Sequence, residues 1–195
     1  MSALIPRLLG HTDPARRRIG VAALVGLIAG MFSAIVKFGW EVPFPPRTPE
    51  RDATNPPQTM LELWFGMSPE QSHALIFFNG NPRPIYSFIV HFAFSIVIAL
   101  FYCIVAEYFP RIKLWQGAVF GFLAWIFFHV LLMPLTGLVP TPFPWVEGGQ
   151  TWDEHFSECF GHILWVWSIE VVRRDIRNRI THEPDPEVPL AEATR

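Results

Sequence analysis

Five ionisable side chains stand inside strongly apolar stretches of this chain: Lys37, His91, His129, Glu158 and His162. An ionisable group in such surroundings is costly and marks a functional site by default. Their types allow three chemistries. Histidine titrates near pH 6.5, so a histidine–carboxylate–lysine cluster would respond to protons. Three histidines (His91, His129, His162) with a carboxylate also suit Zn²⁺, and two histidines on facing helices suit haem. The chain has no H-x-x-x-H pair on one helical face. Hydrolysis with Glu158 as base would need a nucleophile, and no serine or cysteine stands at a recognisable spacing from a histidine. Glycine-rich phosphate loops are missing too. A non-enzymatic protein without a resident cofactor is therefore expected. A simpler role competes for each residue alone: a histidine near a helix end can donate to a carbonyl, and Lys37 can snorkel or pair with Glu41 one turn on.

The elements that carry these residues follow from composition. Of 195 residues, 51% are apolar, 15% aromatic and only 16% charged, against roughly 25% charged in a soluble domain. Mean hydropathy is +0.29. A disordered chain is excluded, and a net charge of −2 gives no basic face for nucleic acid. Two cysteines make no disulfide scaffold. Spanning a bilayer takes about 20 largely apolar helical residues, and four segments qualify, near 19–40, 85–108, 114–133 and 152–172. The last is interrupted by His155, Glu158 and His162 but continues apolar to an arginine cluster. The expected fold is all-α, a four-helix transmembrane bundle forming one domain over 1–180, with an irregular tail at 181–195. In the loop 41–84 the first half is proline-rich and extended. Ser68-Pro69-Glu70 reads as a helix start, and 60–78 as one or two short amphipathic helices.

Charge asymmetry orients the bundle. Arg7 and Arg16 to Arg18, Arg111 and Lys113, and five arginines from Arg173 onward fall on one side; Arg47, Arg51 and Arg83 fall on the other. Both termini are expected in the cytoplasm. The Arg16-Arg17-Arg18 run could open a secretion signal, but the following apolar region is too long and no small-residue cleavage site follows. Trp40, Trp145 and Trp152, with Trp115 opposite, mark interfacial belts. All five candidates then fall in the outer leaflet. The inner half holds Glu107 and Glu170, read as interfacial pairs with Arg111 or with Arg173 and Arg174.

Direction adds to depth. At 100° per residue Lys37 lies within about 20° of Gly26 and Gly30, whereas His129 is about 80° from Gly121. His91 shares a stripe with Ser87 and Ser95, and His155, Glu158 and His162 share a face. Small residues at four-residue spacing, Gly26 and Gly30 in the first span and Gly117 and Gly121 in the third, are helix-packing seams, either inside one bundle or between two copies. Cys103 and Cys159 differ in depth by roughly 18 Å, beyond disulfide reach.

Several blocks carry a family resemblance. They are Gly26-Leu27-Ile28-Ala29-Gly30 with Val36-Lys37, Glu41-Val42-Pro43 and Pro45-Pro46-Arg47; Val105-Ala106-Glu107 with Ile112-Lys113-Leu114-Trp115-Gln116-Gly117; and Phe160-Gly161-His162, Trp167-Ser168-Ile169-Glu170 and Arg177 to Pro186. Together they resemble the YagU family of bacterial inner-membrane proteins; the stretch between Arg51 and Arg83 departs most from its pattern. The resemblance implies a multi-pass inner-membrane protein linked to acid resistance. Lys37, His91, His129, Glu158 and His162 match the family pattern, and no catalytic or binding residue is carried over. The expected function is survival in acid through an outward-facing proton-responsive cluster. The alternatives are a metal- or haem-binding membrane protein and a small oligomeric transporter or channel. Expected partners are membrane lipid and a second copy; nucleic acid is not among them, and no protein partner is identified.

Overall fold

The structure is a computed structural model that describes residues 10–185. Its frame is four long helices: α1 (Ile19–Glu41), α5 (Ile85–Tyr108), α6 (Ala118–Leu135) and α7 (Trp152–Thr181). Between α1 and α5 lie three short helices, α2 (Pro49–Asp52), α3 (Pro56–Phe65) and α4 (Pro69–Ser72), and an antiparallel hairpin of β1 (Leu75–Phe78) and β2 (Asn81–Pro84). A 3₁₀ turn, Pro110–Lys113, links α5 to α6.

Small residues are inside and large ones outside, the arrangement expected when lipid rather than water surrounds the helices. Ala22, Ala29, Ala99, Cys103 and Ile169 are buried, while Leu24, Leu27, Met31, Ile35, Val97 and Phe101 face out. A Cβ on Gly26 would stand 2.9 Å from the Leu100 Cα, and one on Gly30 2.5 Å from the Ile96 Cα, so these glycines seat α1 against α5. Gly121 seats α6 on α7, where a Cβ would meet the His162 carbonyl at 2.6 Å. These seams are contacts within one chain.

Three helices, α1, α5 and α6, are long and apolar enough to cross a membrane among the described residues. The polar residues of α7 lower its hydropathy, but Glu154, Ser157, Glu158, His162, Ser168 and Glu170 are buried. Its outer stripe is Trp152, Phe156, Phe160 and Trp167. It packs along α1 and α6, with a Trp40 indole N–H on the Ser157 carbonyl (2.9 Å), and touches α5 at a few side chains, ending in an Arg177–Glu107 pair. Midway, the Trp165 indole donates to Ser95 Oγ (2.8 Å), which donates to the Gly30 carbonyl (2.9 Å).

Several expectations are corrected. Residues 75–78 form a strand, because Leu-Ile-Phe-Phe runs into Asn79-Gly80, a pair suited to a two-residue turn with positive φ at both positions (48° and 77°). The helical part of 60–78 is limited to the end of α3 and to α4, each opened by a capping box, Asn55/Gln58 and Ser68/Gln71. The third long helix starts at Ala118, not 114: Trp115, Gln116 and Gly117 all have positive φ and cannot extend a helix. Gly117 is thus a turn residue, though still tightly packed, with a Cβ position 2.9 Å from the Tyr102 hydroxyl.

The end of the bundle opposite the 42–84 loop is also more built than expected. Glu107 is fully buried and pairs with Arg177, not Arg111, while the Arg18 amide donates to its other oxygen at 2.9 Å. Glu170 accepts from Arg173 (2.6 Å) and Tyr102 (3.0 Å). Asp185, just past α7, is held by Lys113 (2.6 Å) and Arg173 (2.6 Å). Burial alone would raise the Asp185 carboxyl's pKa, but the two cations outweigh it and hold it below the ordinary range. Burial pushes the Lys113 ammonium down, partly opposed by Asp185. Residues 1–9 and 186–195, including Arg7 and most of the expected tail, lie outside the described residues.

Candidate functional site

Glu158 lies on the buried face of α7, near the end of the bundle that carries the 42–84 loop. Its Oε2 is 3.0 Å from Lys37 Nζ on α1, 3.4 Å from His129 Nε2 on α6 and 3.6 Å from His162 Nδ1 one turn along α7. Its Oε1 is 3.7 Å from Arg47, whose guanidinium also pairs with Asp52 at 3.0 Å. Lys37 has a second carboxylate, Glu41, at 2.6 Å. The Lys37 and Glu158 side chains are each only 7% exposed. With neutral histidines, two cations therefore face three carboxylates, an almost balanced set in surroundings where an unmatched charge is costly.

Local sequence explains how these side chains meet. Gly161 lets α1 approach α7, since a Cβ there would lie 3.0 Å from Lys37 Nζ and from Trp40 Cδ1. His129 reaches the cluster because α6 widens to a π-helix over Ile126–Leu132. A π turn advances less than 100° per residue, which takes back much of the rotation separating His129 from the Gly121 face. In an α register the Pro134 ring would clash with the Val130 carbonyl, which favours this widening. The Met133 amide donates to the Phe128 carbonyl, five residues back; in that register the His129 carbonyl would accept from residue 134, which has no N–H. The buried Gln150 side chain supplies that donor at 3.3 Å, and also donates to the Pro140 carbonyl at 3.1 Å.

The cluster thus contains Lys37, His129, Glu158 and His162. His91 stands apart: its Nε2 meets the Ala34 carbonyl at 3.2 Å, and its ring stacks on Phe38 at 3.9 Å, between α1 and α5. His155 turns to the Pro142 carbonyl (2.7 Å) and holds the 136–151 loop. Sequence reasoning did not single out Arg47, Gly161, Pro134 or Gln150. Pro134 near the end of an apolar run, and Gly161 beside His162, were the available signals.

Chemically the arrangement can accept protons. The His129 and His162 rings meet edge to face at 4.7 Å. His162 Nδ1 lies 2.8 Å from the Glu158 main-chain carbonyl; a carbonyl only accepts, so Nδ1 carries a hydrogen. A divalent cation could draw on His129, Glu158 and His162, whose ligand atoms all lie within 4.8 Å of one another. With Nδ1 protonated, His162 would ligate through Nε2; what works against that use is the Lys37 ammonium, which occupies the cation position beside the carboxylate.

Residues 31–171 match the family described as "Protein of unknown function (DUF1440)". The chain is 46% identical to the inner membrane protein YagU of Escherichia coli (strain K12) over 204 positions, covering 92% of this chain and 96% of that protein. No solved structure matches. A helical frame with three apolar spans, a match over most of its length and this degree of identity make the chain a member of the DUF1440 family, an inner-membrane protein of the YagU type.

Proposed function

We propose that this is a non-enzymatic inner-membrane protein that contributes to survival in acid, with His129 and His162 on Glu158 as its proton-responsive site. In this reading α7 is a fourth span and both termini are cytoplasmic, as the distribution of Lys and Arg favours. Gly26, Gly30, Gly117 and Gly121 serve packing inside the bundle. The observation that carries the proposal is the pairing of two histidines with one buried carboxylate already held by a lysine.

Histidine changes charge between pH 5 and 8. A proton on either ring adds a positive charge beside Lys37 and Arg47, and a proton on Glu158 removes the anion that binds them together. One such proton brings the set to charge balance; a second leaves excess positive charge, which repels α1 from α6 and α7 at the outer end and repacks the bundle. Lys37 keeps Glu41 and does not lose all compensation. The site faces outside in this orientation, so it would respond to external acid. His91, at similar depth, is a secondary candidate because its protonation would alter its contact with the Ala34 carbonyl.

The test is acid survival of a strain lacking the protein, complemented with wild type, Glu158→Gln or His162→Ala at matched membrane levels. Wild type should restore survival and both variants should not. Full rescue by both would overturn the assignment. Metal binding by His129, Glu158 and His162 is the second reading, favoured by their spacing. Metal analysis of protein purified without chelators separates the two, and stoichiometric metal lost in His129→Ala would favour the second.

A further inference from the structure

The hairpin of β1 and β2 exposes apolar side chains on both faces: Leu75 and Phe77 on one, Ile76 and Phe78 on the other, all 47–77% exposed. An isolated two-stranded hairpin in water is marginal at best. This one is tied to a membrane-crossing helix, because the amide of Ile85, the first residue of α5, donates to the Ala74 carbonyl at 3.2 Å. Below it on α5, Ile89, Ala93, Val97 and Phe101 recur every four residues and face outward. The apolar surface of the hairpin therefore continues the lipid-facing stripe of the span.

The β2 edge disfavours a further strand as the cover on that side. In a two-residue hairpin the closing pair, Phe78 and Asn81, exchanges hydrogen bonds, and bonded pairs alternate with non-bonded ones. Phe77/Pro82 and Leu75/Pro84 are then the non-bonded pairs. At those positions the β2 nitrogens point away from β1, and both belong to prolines. The outer edge of β2 thus lacks the donors that would template a further strand. Arg83, exposed beside Pro84, suits a lipid phosphate.

We propose that the Leu75–Pro84 hairpin is seated in the bilayer, with Phe77 and Phe78 at the headgroup–acyl boundary and Arg83 at the phosphates, as a lipid-contacting wedge beside α5. The proposal does not depend on the acid role of the Glu158 cluster; the orientation given above only decides which leaflet it enters.

The test uses full-length protein carrying Cys159→Ala in lipid vesicles, with a spin label at Phe78→Cys and, as a control, at Ala53→Cys in the exposed polar part of the loop. Oxygen partitions into lipid, and a nickel chelate stays in water. The oxygen-to-nickel accessibility ratio should be several-fold higher at position 78 than at 53. Nickel access at position 78 equal to that at 53 would place the hairpin in water and overturn the proposal. Protection of position 78 from both reagents would mean a protein cover, such as a second copy, and would overturn it equally.

Discussion

The Lys37–Glu158 contact can be tested as an energy. At 3.0 Å and an effective dielectric of 20, the attraction is about 5.5 kcal/mol before desolvation. Removing one member of a buried pair costs about 3–5 kcal/mol. The cost here should lie near the low end, because Lys37 keeps Glu41 at 2.6 Å and Glu158 keeps Arg47 and the two histidines. Lys37→Met and Glu158→Leu should therefore each cost about 3 kcal/mol. The double variant buries neither lone charge, so it should cost about 2 kcal/mol less than the sum of the two. Cys103, fully buried, is a built-in reporter once Cys159 is replaced by alanine: a fluorogenic thiol reagent reacts only as the bundle opens on heating in mild detergent. At about 2–4 °C per kcal/mol, each single variant should lower the midpoint by roughly 6–12 °C, with the double variant clearly less than additive. Additive losses would refute the pairing and with it the charge balance drawn for the site.

Four further outcomes follow from other contacts. Gly30→Ala should destabilise the bundle by about 1–3 kcal/mol, since its Cβ would meet the Ile96 backbone at 2.5 Å; Gly39→Ala, with open space around it, should be neutral in the same melt. Gln150→Ala should cost about 1–3 kcal/mol, and equal stability would show that the His129 carbonyl has another donor. Asp185 titrates below an ordinary aspartate, so its contribution is complete above the unfolded value near 4 and is lost only as pH falls through the lower folded value. Hydrogen exchange of 182–185 should stay slow at pH 4 in wild type and be fast at every pH in Asp185→Ala; release of this segment above pH 4 in wild type would contradict the sign. Pro134→Ala should let α6 regain α-helical register and weaken the coupling between His129 and Glu158 in a second mutant cycle.

The elements were largely legible because apolar length and arginine placement are one-dimensional signals. Ile19–Glu41 and Ile85–Tyr108 lie within a residue of their expected bounds. Positions that depend on φ were not legible in the same way. The Trp115–Gly117 turn shortens the start of α6, and Asn79-Gly80 makes 75–84 a hairpin. Depth predicted which polar residues share a layer, but not which touch. His91 has the right depth and the wrong partner, because Phe38 and the Ala34 carbonyl satisfy it locally. His129 looked misdirected at 100° per residue, and only the π-helical widening before Pro134 turns it toward Glu158. Glu170 does pair with Arg173, as its spacing suggested, but the pair is buried and not interfacial, and Glu107 takes its arginine, Arg177, from another helix.

Protons at this cluster should open the end of the bundle that carries the 42–84 loop. The most direct measurement is the distance between spin labels at Gly39→Cys on α1 and Leu135→Cys on α6, both open positions. The protein would carry Cys159→Ala in lipid discs, at pH 7.5 and 4.5. The distribution should become longer or broader in acid, and this change should vanish when His129 and His162 are both replaced by asparagine. An unchanged distance in the protein with its histidines, or the same acid shift without them, would contradict it.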